Sequence, residues 1–307
     1  MADLESLAVD KNDHALATIR RLFIHLRLHF QLLLAPIFLW GYFLAVREQG
    51  SRPDLKFWLA FLAFHVFLYG GTTAFNSYYD RDEGPVGGLE KPPPVDPVLL
   101  PFSLIVQGIG FMLALLINWP FALIYLIDFF VFAAYSYPMP RLKGKPLGSM
   151  LAIGIGQGIL PGLAGWVTAN PNLLAISPLA WLAIVSATLV AVGFYPLTQI
   201  YQIDEDLARG DQTFAAWIGP RRAFIFAVVV QTVAAALLVG AIARLLGLWN
   251  ALLVAAFYVV LLVAILRWAS AFNNAHILAN YRQVMRINML TSLGFLGFIS
   301  LHLYGFL

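Results

Sequence analysis

Long apolar runs with at most one charged residue are the feature of this sequence that most limits how the chain can fold. A helix needs roughly 20 such residues to cross a lipid bilayer. Runs of this kind lie at about 24–46, 57–79, 98–117 and 121–138, and the longest extends from Pro146 to Ile203. The composition agrees, with 61% hydrophobic residues, 11% charged residues and a mean hydropathy of +0.79. We therefore expect an integral membrane protein, because water-soluble domains carry many more charges.

The number of predicted transmembrane helices follows from how these runs divide. The segment from Pro146 to Ile203 is too long for one crossing, and a polar turn at 168–172 splits it into two. Three more runs follow at about 223–243, 247–266 and 287–307. We predict an all-α integral membrane protein of nine transmembrane helices, since the runs lack the alternation of a membrane barrel. Residues 1–23 are expected to form a cytosolic N-terminal lead-in, and residues 24–307 the nine-helix domain.

The distribution of Lys and Arg predicts the orientation of these helices. With the N-terminus inside, 15 of the 19 basic residues fall on the cytoplasmic side. The remaining four are Arg47, Arg52, Lys56 and Arg244. Cytoplasmic loops of membrane proteins carry such an excess, so we expect a cytoplasmic N-terminus and a C-terminus outside. We expect a multi-pass protein of the cell inner or plasma membrane, and the net charge of +3 does not indicate nucleic-acid binding.

Two acidic motifs follow directly on apolar runs. The first, NSYYDRDE, begins at Asn76, and the second, QIYQIDED, ends at Asp206. Asn76 and Asp80 are four residues apart and therefore share a helix face, and Gln202 repeats that spacing with Asp206. Acids at helix ends are ordinarily solvated loop residues. Two matched motifs on the predicted cytoplasmic side instead indicate one shared site.

A site for Mg²⁺ and a diphosphate suits these residue types. Mg²⁺ prefers oxygen ligands and commonly holds a few carboxylates together with substrate phosphates. The predicted metal ligands are Asn76, Asp80, Asp82, Gln202 and Asp206. Arginine and lysine pair with phosphate oxygens. Basic residues near the motifs include Lys91, Arg141, Lys143 and Arg209. The chain has no cysteine, so a thiolate-bound metal is excluded.

The two motifs and the nine predicted spans resemble the UbiA superfamily of intramembrane aromatic prenyltransferases. The family pattern is Asn-Asp-x-x-Asp-x-x-x-Asp after helix 2 and Asp-x-x-x-Asp after helix 6. Asn76 and Asp80 match the first and fifth positions of the first motif, and Asp206 matches the last position of the second. The departures, each standing where the family has aspartate, are Ser77, Gly84 and Gln202.

The resemblance also implies a diphosphate-binding patch and an architecture. Tyr135, Arg141 and Lys143 resemble the family's patch after helix 4, and Lys91 with the following proline resembles its basic step after the first motif. The implied architecture is a ring of helices around a central cavity that opens to lipid. Cytoplasmic loops would cap the cavity and hold Mg²⁺ and an isoprenoid diphosphate.

The implied reaction is the Mg²⁺-dependent transfer of a prenyl group to an aromatic or other lipophilic acceptor. Expected partners are the isoprenoid diphosphate, the acceptor and membrane lipid, with neither nucleic acid nor an obligate protein partner. The catalytic candidates are Asp80, Asp206 and Asp128. Asp128 lies near mid-bilayer, and an intramembrane carboxyl is by default a functional candidate that would orient the acceptor or take the final proton. The alternative interpretation, of equal weight, is that the Asp128 carboxyl is protonated and hydrogen-bonded to a neighbouring helix.

Three other functions stay open. A UbiA-like terpene cyclase would use the same diphosphate site without an acceptor. A degenerate, non-catalytic prenyl-lipid binder would keep the same scaffold. The absence of the family's aspartates at Ser77, Gly84 and Gln202 is compatible with this interpretation. A membrane transporter is disfavoured, because an odd number of helices argues against simple inverted repeats and the acids gather at one face.

Overall fold

The computed structural model describes residues 16–47 and 52–306. Within them, nine helices are long and apolar enough to cross a membrane. In chain order, α1 to α9 are Leu16–Val46, Leu55–Asp80, Leu99–Ile117, Trp119–Ser136, Pro146–Ala169, Pro178–Gln199, Pro220–Leu246, Leu248–Ala271 and Ile277–Leu303. Shorter helices in the connections are Leu142–Gly144, Leu173–Ala175, Ile203–Ala208 and Phe214–Ile218. The prediction of an all-α fold with nine spanning helices is confirmed for this part of the chain, while the ring arrangement and the orientation of the termini stay predictions.

Two helices begin earlier than hydropathy predicts. Helix α9 begins at Ile277 and not near 287, because its backbone continues as a helix past the charged side chains of Arg282 and Arg286. Helix α1 begins at Leu16, so residues 16–23 of the predicted lead-in are helical. Residues 1–15 of that lead-in lie outside the described residues.

Polar residues just before several helices determine where those helices begin. The side chains of Asp54, Asn118 and Ser177 each accept a hydrogen bond from the backbone N–H three residues further on. These bonds satisfy N–H groups that have no partner within the helix. Asn118 is the polar residue that separates α3 from α4, which explains how two spans follow each other almost without a loop.

Helix α1 is interrupted near its start. It is helical over 16–25 and resumes as Leu28–Val46, and between the two parts Arg27 adopts a left-handed conformation with φ 48° and ψ 44°. A right-handed helix cannot continue through that conformation. The first part exposes the apolar side chains of Leu16, Ile19 and Phe23, a pattern typical of a helix that lies at a membrane surface.

Glycines bring α1 and α5 into backbone contact. A Cβ atom at Gly41 would collide with the carbonyl group of Gly162, and one at Gly165 would collide with that of Phe38. Small residues allow membrane helices to approach this closely, and the packing replaces the hydrophobic driving force that is missing in lipid. Helix α5 also contains a π-helical segment, Gly154–Ile159, whose Gly156 carbonyl accepts a hydrogen bond of 2.7 Å from the Tyr69 hydroxyl of α2.

Leucine in place of Gly165 should therefore destabilise the bundle strongly. The new side chain meets backbone atoms of α1, which cannot rotate away, so we expect a loss of about 3 kcal/mol, the upper part of the range for overpacking. Leucine at Gly240 of α7 is the matched control, because a Cβ there meets nothing within 4 Å. The measurement is the temperature at which half of the detergent-solubilised protein ceases to be monodisperse. Equal stability of the two variants would contradict the close packing.

Candidate active site

The two acidic motifs meet at one end of the bundle. The first spans the end of α2 at Asp80, and the second runs from the end of α6 at Gln199 into the short helix Ile203–Ala208. Arg209 joins them, because its guanidinium donates to Asp82 at 2.6 Å and to Asp206 at 2.8 Å. The same guanidinium donates to the backbone carbonyl of Asp80 at 3.1 Å.

The connection between α4 and α5 supplies two more cations to this cluster. Lys143 Nζ lies 2.6 Å from Asp80 Oδ2, and Arg141 Nη2 lies 3.3 Å from Asp80 Oδ1. Arg141 also donates two hydrogen bonds of 2.6 Å to the carboxylate of Asp211, and these bonds raise the pKa of Arg141. Gly144 makes this approach possible, because a Cβ at that position would lie 2.5 Å from Asp211 Oδ1.

The cluster retains an excess of negative charge. Its five carboxylates are those of Asp80, Asp82, Glu205, Asp206 and Asp211, and its three cations are Arg141, Lys143 and Arg209. Burial raises the pKa of Asp206 to about 6, although Lys143 and Arg209 act in the opposite direction. With all groups ionised, two negative charges remain uncompensated within the cluster. An excess of negative charge favours the binding of a cation at this cluster.

Two amide side chains extend the set of oxygen donors. Asn76 uses its amide nitrogen to donate to Asp80 at 2.6 Å and to Ser136 at 3.1 Å, and it lines the cavity below the cluster, as Gln202 does. Carboxylate and amide oxygens suit Mg²⁺. No three acidic or histidine side chains in the described ranges are spaced to hold a metal ion. The carboxylates here face Lys143, Arg141 and Arg209, so a metal would have to replace some of these contacts.

An elongated cavity of about 260 Å³ lies below the cluster. Along α1 its lining runs from Arg27 to Trp40, about 20 Å at about 1.5 Å of rise per residue. The hydroxyl groups of Tyr135 and Tyr195 are 2.7 Å apart, and both side chains line the cavity. Apolar side chains form much of the rest of the lining, among them Phe30, Leu33, Phe132, Phe194, Leu238, Ile242 and Phe295. The cavity therefore suits a long apolar chain with a charged end.

A model of the UbiA prenyltransferase family matches residues 34–290. The chain belongs to the UbiA prenyltransferase family. A digeranylgeranylglyceryl phosphate synthase from Methanothrix thermoacetophila is 32% identical over 173 residues, which cover 55% of this chain and 61% of that relative. A second, from Thermococcus kodakarensis, is 28% identical over 195 residues, which cover 58% and 63%. The chain thus spans less than two thirds of the length of these curated relatives.

A solved structure agrees with this family membership at the level of the fold. The structure of a UbiA homolog from Archaeoglobus fulgidus bound to DMAPP and Mg²⁺ has a TM-score of 0.64 and 17% sequence identity. The match covers 91% of this chain and 99% of that one. Family membership and the nine apolar helices in the described part of the chain identify this UbiA family member as an integral multi-pass membrane protein.

Two of the predicted site residues lie away from the cluster of this family member. Lys91 is exposed on the connection between α2 and α3 and does not line the cavity. Asp128 is fully buried in α4, where its carboxylate packs against Gly156 of α5, and it does not line the cavity either. Neither carboxylate oxygen of Asp128 has a hydrogen-bond partner among the described residues. A catalytic role for Asp128 and a diphosphate-binding role for Lys91 stay predictions.

Arg27 and Tyr195 belong to the site although the sequence did not single them out. Both line the cavity of this UbiA family member. Arg27 entered the sequence interpretation only as one of the basic residues that predict orientation. Arg27 nevertheless lies inside the first apolar run. An ionisable residue within a span is a functional candidate, and this holds for Arg27 as it does for Asp128. Tyr195 carries no comparable signal in a chain with 12 tyrosines.

Proposed function

We propose that this chain transfers a prenyl group from an isoprenoid diphosphate to a lipophilic acceptor within the membrane, with Mg²⁺ as cofactor. The observation that carries the proposal is the convergence of both acidic motifs and three cations over one elongated apolar cavity. Family membership supports it, as does the binding of DMAPP and Mg²⁺ by the structural relative. We further propose that the acidic end of the bundle faces the cytoplasm.

The metal site proposed for this chain uses the oxygens of Asp80, Asp82 and Asp206, with the amides of Asn76 and Gln202 beside them. Bound Mg²⁺ would supply positive charge to the oxygens of the departing diphosphate. Lys143, Arg141 and Arg209 already lie among the carboxylates and would pair with phosphate oxygens. Since these cations are held in place before substrate arrives, little reorganisation is needed when the diphosphate leaves.

The cavity has the properties that the prenyl end of the donor requires. Its apolar lining would exclude water from an allylic cation, and the aromatic side chains of Phe132, Phe194 and Tyr135 line it, a residue type whose π-faces stabilise positive charge. In the proposed reaction the bond between the first prenyl carbon and the diphosphate oxygen breaks, and the electron pair leaves with the diphosphate. The acceptor forms the new bond to that carbon and then releases a proton.

Pyrophosphate release tests the proposal. Full-length protein in detergent is incubated with geranylgeranyl diphosphate and Mg²⁺, with and without a prenylglyceryl phosphate, an acceptor class suggested by the names of the curated relatives. We expect release that depends on the acceptor and is abolished by EDTA. Release without any acceptor would instead favour a cyclase or a hydrolase. Binding of the donor with no release under any condition would favour a non-catalytic prenyl-lipid binder.

A further inference from the structure

A fourth cation at the mouth of the cavity differs from the other three. Arg27 is only 4% exposed and lines the cavity at the interruption of α1. It is the residue that precedes Leu28–Val46, the second part of α1, and its backbone there is left-handed. It approaches the mouth from α1, whereas Arg141, Lys143 and Arg209 come from the connections that follow α4 and α6.

The hydrogen bonds of Arg27 go to neutral groups. Nη2 donates to the Ser77 hydroxyl at 2.8 Å, and Nη1 donates to the Gly87 carbonyl at 3.2 Å. Nε is buried and has no partner in the described part of the chain. Asp80 and Asp82 are near enough to act electrostatically on Arg27, but both are already bonded to the other cations of the cluster.

A buried guanidinium without a paired anion is costly, because burial removes water and hydrogen bonds to neutral groups compensate the charge only in part. In the described residues no carboxylate lies within ion-pair distance of Arg27, whereas each of the other three cations has at least one. Ser77, the side chain to which this guanidinium donates, supplies only a hydroxyl. An anion from a ligand would complete this site.

A groove on the outer side of α1 continues from the same residue. Arg27 lines this groove as well as the cavity. Its apolar part is formed by Leu16, Ile19, Phe23 and Leu28, all of them at least 40% exposed. Arg20 is the second arginine along it, and within the described ranges no acid lines it. An amphiphile with an anionic head and an apolar chain complements this combination of charge and exposed apolar surface.

We propose that Arg27 binds the phosphate head group of the acceptor, and that the groove formed by Leu16, Ile19, Phe23 and Leu28 receives the acceptor's apolar part. The inference rests on the proposed prenyl transfer and assigns its acceptor to the anionic lipids. Donor and acceptor charges are then bound by separate cations on different elements. Arg27 acts as a positioning and specificity-determining residue, and the donor diphosphate remains with Lys143, Arg141 and Arg209.

Equilibrium binding without donor, Mg²⁺ or turnover tests this assignment. Radiolabelled prenylglyceryl phosphate and its dephosphorylated prenylglycerol are bound to the full chain in detergent. We expect the wild-type protein to prefer the phosphate, and Arg27→Gln to weaken phosphate binding about tenfold or more, the effect of one charge-assisted hydrogen bond. Binding of prenylglycerol should not change. Arg27→Lys should retain part of the preference, because it keeps the charge.

Ser77→Asp provides a second route to the same result. It leaves Arg27 in place but gives the guanidinium an internal carboxylate, so the phosphate preference should fall without loss of the arginine. This variant keeps the test decisive if Arg27→Gln does not fold. An equal effect of either substitution on both lipids would show that Arg27 is only structural, and unchanged phosphate binding in both would overturn the proposal.

Two further measurements test whether the anion belongs to the donor and whether something other than the acceptor occupies the groove. If Arg27→Gln weakens geranyl diphosphate binding and leaves prenylglyceryl phosphate unaffected, the oxyanion belongs to the donor and the assignment is wrong. A large gain in lipid affinity on deletion of residues 2–15 would show that the N-terminal segment occupies the groove. Because binding is measured without turnover, Arg27-dependent binding combined with no transfer would overturn only the proposed function.

Discussion

Asparagine in place of Asp206 should reduce prenyl transfer by about a hundredfold or more, which corresponds to about 3 kcal/mol of transition-state stabilisation. Asp206 is 5% exposed and lies within hydrogen-bond distance of Arg209, at the point where both acidic motifs meet. The amide still accepts a hydrogen bond from Arg209, so the local structure should persist. The lost negative charge weakens Mg²⁺ binding, so a higher Mg²⁺ concentration should be needed for half-maximal pyrophosphate release.

The matched control lies two residues earlier on the same short helix. Asp204 is exposed, so Asp204→Asn changes the net charge by the same amount without altering the cluster. Transfer by this variant should stay within about twofold of wild type, as expected for a surface substitution away from such features. Equal losses in the two variants would mean that the overall charge of this loop matters and not the position of Asp206. Wild-type transfer by Asp206→Asn would remove this residue from the proposed metal site.

The nine spanning helices that the structure describes could be predicted because each membrane helix corresponds to one continuous run of apolar residues. Each crossing needs about 20 apolar residues in succession, and the run from Pro146 to Ile203 divides at a visible turn. Helix ends were less predictable. The start of α9 at Ile277 depends on backbone hydrogen bonds that continue past Arg282, and hydropathy does not report these bonds.

The site could be predicted only as far as local spacing reaches. The four-residue spacing of Asn76 and Asp80 becomes a hydrogen bond of 2.6 Å within α2. The bond from Arg141 to Asp211 joins residues 70 positions apart and requires the missing Cβ of Gly144, so it follows from the tertiary packing. For Asp128, the position in the sequence indicates a depth near mid-bilayer. It does not indicate whether the side chain faces the cavity.

Methionine in place of Lys143 should damage stability as well as activity. Lys143 and Asp80 are both at least nine-tenths buried and lie 2.6 Å apart, so the substitution leaves a buried carboxylate without its nearest cation. Loss of one partner of a buried pair costs about 3–5 kcal/mol. Arg141 remains 3.3 Å from Asp80, so we expect the lower end of that range. The measurement is denaturant or thermal unfolding in detergent, in parallel with pyrophosphate release.

The double variant Asp80→Asn with Lys143→Met separates the two effects. With the Asp80 carboxylate neutralised, that side chain no longer needs the missing cation, so stability should return to within about 1 kcal/mol of wild type, a coupling expected for side chains in direct contact. Transfer should stay abolished, because a proposed metal ligand and a proposed diphosphate cation are both missing. If Lys143→Met alone is as stable as wild type, the ion pair does not form in the protein. If the double variant regains activity, the charges of Asp80 and Lys143 act on each other and not on the substrate.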